Sequence, residues 1–139
     1  MKLIFNKARV ILFVFILSVF AGCGGSGTSP ELSGYKADLK IQIQEMTNVL
    51  FGGLYSKFMS TYVDPSYINS EGGMDAAMLE FSNAEQQLLY KDLKIAKNIS
   101  PLYNSSKKQL TYVNELMVKP ITFKLINGKW YMMGDWFNN

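Results

Sequence analysis

The chain has 139 residues, 48% of them hydrophobic, and a formal net charge of +3. Three of its 14 basic residues, Lys2, Lys7 and Arg9, precede the first acid, and eleven lysines then face 11 acids. The body of the chain is therefore neutral overall, without the electrostatic footprint of a nucleic-acid binder or the net charge of a basic membrane-binding protein.

Residue types that are missing narrow the chemistry further. The chain has no His, one Arg and one Cys. Ser-His-Asp and Cys-His catalysis need an imidazole. Ordinary zinc or copper sites need imidazole or thiolate ligands. An internal disulfide needs a second cysteine. Catalysis would have to rest on Asp, Glu, Lys, Tyr or Ser, and the expectation is a protein that is not an enzyme and carries no metal or cofactor.

The chain opens with Lys2, Lys7 and Arg9, runs through an apolar stretch over 10–20, and reaches Phe20-Ala21-Gly22-Cys23. A charged start, an apolar core and a small-residue cut site are the parts of a secretory signal. The lone Cys23 after Ala21-Gly22 is similar to the lipobox of bacterial lipoproteins, with Phe20 in place of the usual Leu. This resemblance implies cleavage between Gly22 and Cys23 and lipid on the Cys23 sulfur. Two or more acyl chains, at roughly 0.8 kcal/mol per buried methylene, hold a protein on a bilayer. An uncleaved span is one alternative, but the apolar run falls short of the roughly 20 residues that spanning needs. A plain secreted chain is the other, yet a free cysteine beside Gly24-Gly25-Ser26-Gly27 has no core to enter. Gly24 after the cysteine resembles an outer-membrane address if the host is Gram-negative.

The expected organisation is a signal over 1–22, a Gly/Ser/Thr/Pro tether over 23–33 and one domain over 34–139. Leu39, Ile43, Met46, Leu50 and Leu54 recur at helical spacing and predict a first helix, interrupted at Gly52-Gly53. A second helix carries Tyr55, Phe58, Met59 and Tyr62 and ends before Pro65. Ser66–Gly73 reads as a connection. A third helix is expected from Met74 to Tyr90, buried through Ala77, Met78, Phe81, Ala84, Leu88 and Leu89. Leu93, Ile95 and Ile99 then suggest a strand ending near Pro101. Asn104 to Lys108 is a polar turn. Leu110, Tyr112, Leu116 and Val118 read as a second strand, and Ile121, Phe123 and Leu125 as a third. Asn127-Gly128 is hairpin chemistry, and Lys129 to Met133 is the return strand. Trp136 and Phe137 are expected to dock on the sheet. Helices followed by an antiparallel meander of about four strands predict an α+β fold.

Two segments carry a wider resemblance: the helix end Tyr62-Val63-Asp64-Pro65 and the hairpin Asn127-Gly128-Lys129-Trp130-Tyr131. Together they resemble the NTF2-like superfamily. That resemblance implies a curved sheet wrapped around helices as a cone, with a cavity between them. It implies no reaction here, because enzymatic members place Asp, His, Tyr or Arg in that cavity and this chain offers no His and no Arg beyond the signal.

Candidate pocket-lining residues are Tyr62, Asp64, Tyr67, Tyr112 and Trp130. Asp64 is read as a turn cap before Pro65 in preference to a base. Lys107-Lys108 reads as a solvated turn, and Glu80 and Glu85, five apart, make a poor metal pair. The expected function is a lipid-anchored binding or accessory module of the bacterial cell envelope, holding a small apolar ligand or an envelope protein. An inhibitor or immunity-type lipoprotein is the alternative, with Asn104–Lys108 and Ser66–Gly73 projecting from one end. A small Asp-, Tyr- or Lys-based enzyme is the third reading.

Overall fold

The computed structural model describes residues 29–138. Cys23, Gly22, the signal and the first part of the expected tether lie outside them. The described residues form helices α1 (Pro30–Phe51), α2 (Tyr55–Tyr62), α3 (Pro65–Ser70), α4 (Met74–Glu80) and α5 (Asn83–Ala96). Strands β1 (Leu102–Asn104), β2 (Gln109–Tyr112), β3 (Ile121–Ile126) and β4 (Lys129–Met132) follow, then a 3-10 turn at Gly134–Trp136. The fold is α+β: helices pack on an open antiparallel sheet of order β1-β2-β3-β4.

Helix α1 starts three residues before the expected end of the tether. Ser29 caps it, its side chain accepting from the Leu32 amide, and Pro30 occupies the first turn, where no amide bond is lost. Leu39, Ile43, Met46 and Leu50 form its buried stripe. It ends where expected. Gly53 takes φ 72°, a conformation that costs a glycine nothing. Asp64 caps α3, accepting from the Ser66 amide at 2.9 Å, with Pro65 next. Ser66 to Ser70 is thus helical, not a loop, and Tyr67 and Ile68 bury its inner face.

The long third helix of the sequence reading is two helices. Ser82 breaks it with a reciprocal cap: its hydroxyl takes the Glu85 amide while the Glu85 carboxylate takes the Ser82 amide at 2.9 Å. This resets the helical phase. Gln86, Leu89, Leu93 and Ala96 then share one buried face, so the region around Leu93 and Ile95 is helix and not strand. Ala84 and Leu88, expected inside, are exposed. The first strand lies instead at Leu102–Asn104.

The sheet turns one face inward. Leu110, Tyr112, Ile121, Phe123, Trp130 and Met132 are all buried against the helices. Each such side chain contributes roughly 1.5–3 kcal/mol by leaving water. The hairpin is as expected: Asn127 and Gly128 take φ 51° and 79° between β3 and β4. Gln42 of α1 ties helix to sheet, its Nε2 donating to the Trp130 carbonyl at 3.0 Å. At the other edge of β4, Val63 pairs in parallel with Met132, and the Asp64 amide donates to the Met132 carbonyl at 2.9 Å.

Trp136 and Phe137 are buried as expected, but they reach beyond the sheet to the helices, Trp136 bonding Asp92 of α5. Phe137 stacks on Tyr67 at 5.1 Å and meets Phe81 edge-on. This packing leaves no room at Gly134, where an added Cβ would lie 2.3 Å from the Tyr67 ring. Gly134→Ala is therefore expected to cost about 1–3 kcal/mol of stability, read from urea unfolding. An unchanged midpoint would show that Tyr67 yields freely.

Candidate functional site

The five candidate pocket residues do not converge. Tyr62 packs on Phe58 at 5.8 Å, Tyr67 on Phe137, and Tyr112 edge-on to Phe123 at 6.0 Å. All three are core aromatics. Trp130 is also buried, but it edges an open groove of about 350 Å³ with Tyr35, Asp38 and Lys129. Asp64 borders a different groove of about 410 Å³ beside Pro65 and Tyr131. Its carboxylate is committed to capping α3.

Burial alters the phenols. Tyr112 is pushed up to about 12 by desolvation. Tyr67 is pushed up to about 12 by desolvation first, then by the negative charges of Glu71, Glu85 and Glu80. An unfolded phenol ionises near 10, so the folded state resists an ionisation that the unfolded state accepts. Stability from these residues is complete below pH 10 and is lost as pH rises from 10 through 12. Tyr67→Phe and Tyr112→Phe should each flatten that alkaline loss, followed by circular dichroism. A slope unchanged in both variants would contradict the assignment.

A larger groove, about 600 Å³, lies elsewhere. Tyr90, Lys91, Lys94, Ile95, Asn98 and Ile99 of α5 and the residues after it form one wall. The other wall is Asn114 and Leu116, from the loop 113–120 between β2 and β3. Sequence periodicity assigns Leu116 and Val118 to a strand. The strand stops at Tyr112 because the following backbone finds other partners. Asn114 folds a tight turn: its side-chain oxygen takes the Leu116 amide at 3.0 Å, and its carbonyl takes the Met117 amide at 3.1 Å.

Asp92 then captures the end of the loop. Its side chain is fully buried, at 0% exposure. One oxygen accepts from the Val118 amide at 2.9 Å. The other accepts from the Lys119 amide at 3.2 Å and the Trp136 indole at 3.2 Å. Lys119 closes the cluster from outside, donating to the Trp136 carbonyl at 3.0 Å with its ammonium 5.3 Å from that ring. Sequence reasoning missed Asp92, because an acid just before the alternating Leu93, Ile95 and Ile99 looks like the solvent side of a strand. The available signal was the capping pair Ser82-x-x-Glu85, which fixes the helical phase and turns Asp92 inward.

A second, smaller groove of about 270 Å³ adjoins the first and shares Tyr90 with it. Phe51, 80% exposed, stacks on Tyr90 at 6.1 Å. The Lys94 ammonium sits 5.5 Å from the centroid of the same Tyr90 ring. Phe51, Tyr90, Ile95 and Leu116 thus make one apolar strip, rimmed by Lys91, Lys94, Asn98 and Asn114. Leu116 is 68% exposed at its far end.

Asp92→Ala would leave three donors without their acceptor, at about 1–3 kcal/mol for each group left buried. The variant is expected to lose about 3 kcal/mol or more in urea unfolding, with a red-shifted tryptophan emission as the Trp136 indole meets water. A loss below about 1 kcal/mol would contradict the role of the carboxylate.

Set against family models, curated proteins and solved structures, the chain matches none of them. Among the described residues, no helix is long and apolar enough to cross a membrane.

Proposed function

We propose that the protein is a lipid-anchored binding module of the bacterial cell envelope, and that the Phe51–Tyr90–Leu116 strip holds a protein partner. The observation that carries this reading is an apolar strip with large exposed side chains at both ends, of the kind that marks an interaction surface. Small-molecule sites bury most of their ligand in an enclosed cavity. The open shape of these grooves favours a protein partner over a small apolar ligand. Aromatic anchors in the middle of such a surface dominate binding, and Tyr90 stands in that position. Helices gathered on one face of an antiparallel meander support the NTF2-like resemblance, and Phe20-Ala21-Gly22-Cys23 supports the anchor.

An inhibitor of a toxin or wall-degrading enzyme is the second reading. It is favoured by the loop 113–120, which Asp92 holds rigidly while Val113, Leu116 and Val118 face solvent. The Ser66–Gly73 stretch does not support it, since most of that stretch is helical and its aromatic side chain is buried.

The test places a photo-crosslinking residue at Phe51 or Leu116, with Leu79, 83% exposed on α4, as the control. Adducts of one defined mass are expected in envelopes from the first two positions and not from the third. Equal adducts at all three, or none, would overturn the strip as the working surface. Cys23→Ser tests the anchor separately: the variant should leave the membrane pellet, and normal processing and retention would overturn that part.

A further inference from the structure

Past Arg9 the chain is neutral overall, yet its charges are segregated. Between Asp64 and Glu85 stand five acids and no lysine. Between Lys91 and Lys129 stand eight lysines and two acids. The fold brings four of these eight lysines together at one end of the sheet, while Lys119 lies on Trp136 at the other. Strand pairing sets Gln109 opposite Lys124 and Ile126 opposite Lys129, so the turns 105–108 and 127–128 lie at one end of the sheet. The Leu125 amide donates to the Lys108 carbonyl at 3.1 Å, which fixes the first turn there. Lys107, Lys108, Lys124 and Lys129 therefore cluster at this end, with Lys107, Lys108 and Lys129 exposed. Glu71, Glu80 and Glu85 gather around Tyr67, which packs on Gly134 past the opposite end of β4.

The start of α1 sits at the lysine end. Tyr35 packs edge-on to Trp130 at 5.4 Å and near Tyr103 at 6.4 Å. Tyr35 and Asp38 line one groove with Gly128 and Lys129. The acids that meet this end are Glu31, hydrogen-bonded to the Tyr35 hydroxyl, Asp38 in that groove, and Asp64, which borders a neighbouring groove with Asn127 and Lys129 while its carboxylate caps α3. Six peptide steps separate Ser29 from Cys23, a reach of at most about 20 Å.

We propose that the Lys107–Lys108–Lys124–Lys129 end of the domain rests on the anionic headgroups of the membrane that holds the lipid on Cys23. The inference rests on the anchored reading above. A chain attached beside this end cannot carry it more than a few Debye lengths from the surface, since one such length is about 8 Å in physiological salt. Phosphate-bearing lipids complement the lysines, and the acidic end is turned away from the same surface. The domain would then stand with α2 and α4 outward.

The experiment uses the processed protein extracted from bacterial membranes. The mass of its N-terminal peptide is read first, and an unmodified Cys23 would overturn the anchor and this proposal together. The lipidated protein is then placed in vesicles rich in phosphatidylglycerol or made of phosphatidylcholine alone. Amine acetylation is followed lysine by lysine. In the anionic vesicles Lys107, Lys108 and Lys129 should react about fivefold more slowly or less, and high salt should remove the protection. Lys57 on α2 should react equally in both. Equal rates at all lysines, or protection indifferent to lipid charge and salt, would overturn the proposal while leaving the anchor intact.

Discussion

One buried carboxylate organises the C-terminal half of this domain. Asp92 reaches three donors from two separate stretches of chain: two amides of the loop 113–120 and the indole of the last turn. Taking an ion out of water costs several kcal/mol, so the cluster is close to neutral as a stability device. Its effect is geometric. A carboxylate with that many donors has one arrangement that satisfies it, and the loop, the helix and the terminal turn must all adopt it. Lys119 adds its ammonium to the same arrangement, over Trp136 and onto its carbonyl.

The groove depends on that constraint. Its helical wall is α5, whose phase is set by the Ser82–Glu85 cap nearly three turns earlier. Its opposite wall is a loop with little buried apolar surface of its own. Asn114 shapes the turn and Lys119 and Met117 add contacts, but it is Asp92 that ties the loop's backbone to α5 and so holds Leu116 opposite Ile95. Local capping thus sets helix phase, phase sets the inward turn of Asp92, and Asp92 sets the shape of the surface.

Much of the fold was legible in the sequence. The α1 stripe, the Gly52-Gly53 break, the Asp64-Pro65 cap and the Asn127-Gly128 hairpin follow from local chemistry that tertiary packing did not override. The errors share a cause. Leu93, Ile95 and Ile99 fit a period of two, and only a helix start at Ser82 shows that they belong to a period of 3.6. Leu116 and Val118 also fit a strand, and only a long-range contact to Asp92 diverts them. Short apolar runs are ambiguous where the deciding partner lies 26 residues away. The candidate site was harder to read, because aromatic residues such as Tyr67 and Tyr112 look the same in sequence whether they line a pocket or fill a core.

Hydrogen exchange at the Val118 and Lys119 amides tests the central constraint most directly. Neither amide belongs to a helix or strand, and the Asp92 carboxylate accepts from both. The account predicts exchange as slow as at Phe123 in the middle of the sheet. Exchange as fast as at Glu115, in the exposed turn of the same loop, would contradict it.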